Sequence, residues 1–277
     1  MGGILLQNLT HSVRMETHAA FGRRALTIDR VCALETRQEF ARMIPPSNDS
    51  PTGTPEGRTQ SGFPSPYPQA PWKLHGHALL CAWRVPLADL PQQAPGDARV
   101  VTLGRHAICT TVWTAYEPGG TLAYNELLFA TAVRHAGLLA PACTMGPIWV
   151  DDEAAAEGGR KLWGIPKRIG DFEPLPALDG PGEPAALAQA SLVADGRPAA
   201  SVQFRPGLRI AVPLRFAVWT VQDGPAGLIR TRCTLRGTLR FGTAHWRMAE
   251  AGPLGFLARR QPVASAWLER MSVSFGV

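Results

Sequence analysis

The sequence predicts a mainly β (α+β) fold, a sandwich or barrel with a few short helices. Two observations point there. Short β-type runs recur along the chain, and Pro and Gly turn clusters separate them. Strands alternating with amphipathic helices, the mark of βαβ units, do not occur in that pattern.

Taken in order, residues 1–68 read as a poorly ordered N-terminal extension and Pro-rich linker, or as the product of a start codon placed too early. Residues 69–277 then form the domain. Pro45 to Gly57 is rich in Pro, Gly, Ser and Thr, and Gly62 to Pro68 continues it with proline punctuation. Strand-like runs follow at Ala78 to Val85, Val100 to Leu103, Ile108 to Trp113 and Thr144 to Val150. Later runs are Ala199 to Phe204, Phe216 to Val221, Leu228 to Phe241 and Ser272 to Phe275. One short helix is signposted between them. Asp151 and Asp152 can cap it, Ala154 to Ala156 favour it, and Gly158-Gly159 can end it.

The 277 residues can bury a substantial core, and 45% hydrophobic with 18% charged residues is ordinary for a soluble globular protein. No apolar run approaches the ~20 residues of a membrane span, and the start lacks a signal peptide's basic region, so the chain is expected in the cytoplasm. The five cysteines are odd in number, widely spaced and without a C-x-x-C pair. They argue against a disulfide framework, and no metal spacing is present, so no metal is expected. From Arg205 onward eleven Arg face three acids. That bias is read as a solvated or subunit-facing sheet side, since no nucleic-acid-binding motif accompanies it.

The chemistry-bearing segment is Gly158-Gly159-Arg160-Lys161-Leu162-Trp163-Gly164-Ile165-Pro166-Lys167-Arg168. A lysine that attacks a carbonyl must be neutral, yet an ordinary lysine, with a pKa near ~10.4, is neutral only about once in a few thousand at pH 7. Burial against apolar surface corrects this by penalising the ammonium. Read as extended from Arg160 to Ile169, the segment puts Lys161, Trp163, Ile165, Lys167 and Ile169 on one side and Arg168 on the other. By itself, a lysine after proline is more often an exposed loop residue.

The same segment resembles the acetoacetate decarboxylase family, whose corresponding block ends in Pro-Lys and a polar residue. Ile148-Trp149-Val150-Asp151 resembles the family strand before its short helix. The resemblance implies that Lys167 is the nucleophile, forming an imine with a ketone as lysines do in acetoacetate decarboxylase. Trp163 and Ile165 would then keep the amine dry, and Arg168 would retain the charge of a second lysine often found there. It also implies a largely antiparallel, closed, cone-like β-barrel, homo-oligomers and no cofactor.

Tyr124-Asn125-Glu126 resembles the family's Tyr-x-Glu block, 41 residues before Lys167. The resemblance makes Glu126 a proton-transfer group and brings Tyr124 into the site. An extended reading puts Leu122, Tyr124, Glu126, Leu128 and Ala130 on one face. A carboxylate there needs a raised pKa or a cationic partner, whether its role is catalytic or a structural salt bridge.

Pro71-Trp72-Lys73-Leu74-His75-Gly76-His77 resembles a third family block, in which an Arg stands where this chain has His77 and contacts a substrate carboxylate. A neutral imidazole cannot offer the bidentate fork of Arg. The exchange leaves three expectations: a protonated His77 serves, another base such as Arg84 reaches the site, or the substrate differs. A second family glutamate has no counterpart, and Thr110, Thr111 or Thr114 occupy its stretch.

The expected function is a Schiff-base-forming lyase acting on a small-molecule keto acid, foremost a β-keto acid decarboxylase. The alternatives are an imine-forming aldolase or dehydratase, and a barrel that binds a small molecule without turnover. Partners are expected to be the keto acid and further copies of the chain, with neither nucleic acid nor membrane.

Overall fold

The computed structural model describes residues 65–135, 137–138, 140–178, 187–209 and 213–277. The expected extension therefore lies outside the described residues as far as residue 64, as does Cys32.

Among the described residues the chain is mostly β, with one α-helix. The strands are β1 (Trp72–Pro86), β2 (Arg99–Val100), β3 (Thr102–Leu103), β4 (His106–Tyr116), β5 (Tyr124–Arg134) and β6 (Ala142–Val150). Helix α1 (Glu153–Trp163) follows, then β7 (Lys167–Ile169), β8 (Asp171–Glu173), β9 (Ala188–Ala194) and β10 (Arg197–Arg209). The chain ends with β11 (Leu214–Gly224), β12 (Gly227–Met248) and β13 (Ala264–Phe275).

Hydrogen bonds connect the strands in the order β11-β6-β5-β4-β1-β13-β12, and β12 pairs again with β11. Seven strands thus form a ring, uneven because the β6–β11 junction is parallel and rests on Trp219 opposite Ala142 and Thr220 opposite Cys143. The other junctions of the ring are antiparallel. The long β12 lets the sheet leave the ring. Its first part pairs with β11, and its part after Leu239 pairs with β10, which carries β9 and β8 outward.

Two main cores result. Trp72, Leu74 and Ala78 of β1 pack with Leu128, Ile148, Ile165 and Leu268, while Leu79, Cys81, Trp83 and Val85 pack with Phe204, Trp246 and Trp267. Strands covered on both faces have little reason to alternate polar with apolar residues, which explains the nearly continuous apolar text of β1 and β5. Strand β9 had no sequence expectation. Its inward Ala188, Ala190, Leu192 and Ala194 alternate correctly, but alanine is a weak strand signal.

Helix α1 corrects two expectations. Asp152 caps it, accepting a hydrogen bond from the Ala155 amide at 2.7 Å, but the helix does not end at Gly158-Gly159. It runs on to Trp163 and stops at Gly164, whose φ of 65° is the left-handed conformation that suits glycine. The paired glycines are buried helix interior because neighbours crowd them. A Cβ on Gly158 would lie 2.5 Å from the Trp72 ring, and one on Gly159 would lie 2.7 Å from Lys167 Cδ. Lys161 and Trp163 are therefore helical, so Lys161 does not share an extended face with Lys167.

Candidate active site

Lys167 opens β7, three residues beyond the left-handed Gly164 that ends α1. Its amide donates to the Ile165 carbonyl at 2.8 Å, and its own carbonyl accepts from Arg160 Nη1 at 2.7 Å. Parallel pairing sets Lys167 opposite Ile148 of β6, and antiparallel pairing on the other side of β6 sets Val150 opposite Glu126 of β5. A lysine and a glutamate on the two strands flanking β6 thereby converge.

They meet as a close pair. Lys167 Nζ lies 2.7 Å from Glu126 Oε2, with the two residues only 5% and 4% exposed. The amine also donates to the Tyr124 hydroxyl at 3.2 Å and lies 4.8 Å from the centre of that ring. Burial, and then the charge of Glu126, pushes the Tyr124 phenol well above its ordinary range, so it stays protonated. Tyr116, whose ring is 4.7 Å from that of Tyr124, is raised by the same two causes in the same order. The start of β5 is held beside the end of β6 by Asp151, which accepts from the Asn125 amide and from its Nδ2, both at 2.7 Å.

The pair borders a cavity of about 420 Å³ on the inner side of the ring. Trp72, Trp163 and Phe275 wall the lysine end, meeting edge to face with ring centres 4.6 and 4.5 Å apart. Ile165 lines the same end, and Tyr124, Glu126, Leu128, Ala130 and Ala132 line one side in the alternation of β5. Among the described lining residues, Lys167 and Glu126 are the charged ones, and Thr110, Thr114, Cys143 and Cys233 add small polar groups. Burial pushes the Cys143 thiol up to about 12; burial, reinforced by Cys143 and Glu126, does the same for Cys233. No group of three or more His, Cys, Asp or Glu among the described residues could hold a metal ion.

The structure thus brings Lys167, Glu126, Tyr124, Trp163 and Ile165 together. It does not bring His77. Trp72, Leu74 and Ala78 face the cavity, so His77 falls on the opposite face of β1, where its Nε2 donates to the Leu175 carbonyl at 2.9 Å and its ring stacks on Trp267. Arg168 is exposed on the face away from the cavity, Arg84 is exposed without lining it, and Thr111 accepts from Trp83 Nε1 on the other face of β4. Ile169 is 40% exposed and outside the cavity as well. Sequence reasoning passed over Trp72, although it stood in a quoted block, and Tyr116, which alternation along β4 would have placed beside Thr114.

A sequence model of the family described as acetoacetate decarboxylase (ADC) matches residues 51–217. No curated protein matches the sequence. Solved structures do match in fold. The enduracididine biosynthesis enzyme MppR with HEPES bound superposes with a TM-score of 0.61 at 14% identity, covering 85% of this chain and 96% of that one. An acetoacetate decarboxylase-like enzyme from Sphingomonas wittichii RW1 gives 0.56 at 18% identity, covering 81% and 96%. Acetoacetate decarboxylase from Legionella pneumophila gives 0.53 at 15% identity, covering 82% and 95%.

Proposed function

This chain belongs to the acetoacetate decarboxylase family, and from that premise we propose that it is a Schiff-base-forming carbon–carbon lyase, foremost a β-keto acid decarboxylase. The observation that carries the reading is the Lys167–Glu126 contact of 2.7 Å on the wall of an apolar cavity. Proton transfer needs hydrogen-bond reach, and a proton passed from Nζ to Oε2 leaves a free amine facing open volume.

The amine attacks the ketone carbon, Glu126 returns a proton to the departing oxygen, and water leaves a protonated imine. The bond to the carboxylate then breaks. Its electron pair flows towards the imine nitrogen, carbon dioxide departs and a neutral enamine results. Protonation of the enamine carbon restores the imine, and water releases the ketone and Lys167. The imine is itself the electron sink, so the proposal includes no cofactor.

With His77 turned away, no arginine or second lysine among the described lining residues is available to a substrate carboxylate. An apolar wall has its own effect there. It penalises the buried carboxylate of the starting iminium, whereas the charge disappears as carbon dioxide forms. The missing cation also supports the second reading, an imine-forming aldolase or dehydratase that keeps the same first step. The seven-strand ring supports reading the fold as the family's closed, cone-like barrel. Homo-oligomers belong to the same proposal on the family resemblance, and a cytoplasmic location on the reading of the sequence; no described helix is long and apolar enough to cross a membrane.

Borohydride added with acetoacetate, acetopyruvate or pyruvate tests the reading. A reduced adduct on Lys167 is expected, and carbon dioxide release separates decarboxylase from aldolase. A protein whose mass stays unchanged with every ketone would instead be a binding barrel without turnover.

A further inference from the structure

The cavity is larger than the chemistry of a short keto acid requires. At about 420 Å³ it falls in the ~300–1,000 Å³ range of pockets that enclose molecules of drug size, and acetoacetate would leave most of it unfilled. Its shape follows from the strand register. Glu126, Leu128, Ala130 and Ala132 of β5 all line it, so the lined wall extends about 20 Å from Glu126 at the usual rise per strand residue.

Strand β4 runs beside this wall in register. Thr114 lies opposite Glu126, Val112 opposite Leu128 and Thr110 opposite Ala130. Strand β6 completes it, with Met145 opposite Ala130 and Cys143 opposite Ala132. The space therefore has a reactive end, at Lys167 and Glu126, and a long apolar end. Beyond Glu126, no charged residue lines it among those described. Alanines at 130 and 132 leave room in the lumen that larger side chains would take.

We propose that the substrate is a ketone or β-keto acid with an extended, unbranched, uncharged tail, its carbonyl at Lys167 and its tail along β4 and β5 towards Ala130 and Ala132. This rests on the Schiff-base reading and adds the class of substrate to it. A polar or charged tail would lose its hydration against these walls without a partner to replace it. An alkyl tail gains from the same transfer, by about fourfold in affinity for each methylene buried.

The test is a series of methyl ketones (acetone, methyl hexyl ketone and methyl nonyl ketone) trapped with borohydride on the intact protein and read by mass. Imine formation releases water, and borohydride supplies the hydride that reduces the carbon–nitrogen double bond. The half-saturating concentration is expected to fall at least about a hundredfold from acetone to methyl hexyl ketone. Ala130→Phe, which fills the lumen beyond Glu126, should collapse that ratio, and Ala132→Leu offers the same reading where Ala130→Phe does not fold. Trapping that is equally good, or better, with acetone would overturn the tail while leaving the Schiff base standing. A variant that folds and keeps the full ratio would overturn the tail's placement. No adduct with any ketone would remove the Schiff base and this inference together.

Discussion

His77 and Lys167 are both buried bases with a glutamate at hand, and they differ in what else surrounds them. His77 Nδ1 lies 3.0 Å from Glu117 Oε1, its other nitrogen is taken by the Leu175 carbonyl, and the Trp267 ring stacks 5.4 Å away. Glu117 reaches solvent, with its side chain 50% exposed. Lys167 meets a glutamate that is itself buried, and the space beside the pair is open cavity. Burial with a carboxylate partner is common to both. What separates a fastened core residue from a candidate nucleophile is unfilled volume on one side of the base.

Substitutions on each side can break or sharpen that contrast. Lys167→Met should abolish the borohydride adduct entirely. It should also lower unfolding free energy by about 3–5 kcal/mol in urea titration, because Glu126 is left buried without its partner. Replacing Glu126 with Leu in the same chain should restore much of that stability and none of the adduct. Glu126→Gln alone keeps the shape and removes the proton acceptor, so the rate of adduct formation should fall by about 10²–10⁴.

Gly159→Ala is a subtler break. The new methyl would press on Lys167 Cδ and Cε at 2.7 and 2.9 Å, and helix propensity favours alanine over glycine. A displaced amine should slow trapping by up to about 10²-fold while the helix itself stays formed by circular dichroism. On the other side of the comparison, His77→Leu should cost about 1–3 kcal/mol of stability through the orphaned Leu175 carbonyl, with the trapping rate unchanged. His77→Arg should bring no gain in acetoacetate turnover, because the new guanidinium would face the packed core.

A separate effect lies at alkaline pH. Cys143 and Cys233 carry folded values near 12 against an ordinary 9.0. From pH 9 upward the unfolded chain releases these protons and the folded one retains them, so stability should fall as pH rises towards 12. Chemical denaturation under reducing conditions, repeated with Cys143→Ala, would show a shallower decline if the assignment holds.

Much of the site was legible because strands carry a simple period. Once Tyr124 and Glu126 were read as extended, Leu128 and Ala130 followed onto the same wall, where the structure has them. The same period, started from Trp72 and Leu74, excludes His77 from the cavity; matching the block to the family by position hid this. The helix end was misread for a different reason. Gly158-Gly159 looks like a stop signal, but its purpose is clearance for Trp72 and the lysine stem, and such crowding involves residues distant in the chain. The strand pattern alone could not specify the ring, which came only as an implication of the resemblance, since its closure depends on two residue pairs between β6 and β11.

The bond from Arg160 to the Lys167 carbonyl ties down the root of the candidate nucleophile, so the reach of its amine is measured from a fixed point of backbone. A ligand offering two carbonyl groups would then be sorted by how deeply it seats, and the position of attack would be chosen before any bond is made. If the proposed imine forms, regiochemistry would be set by the stem of the lysine as much as by the shape of the lumen.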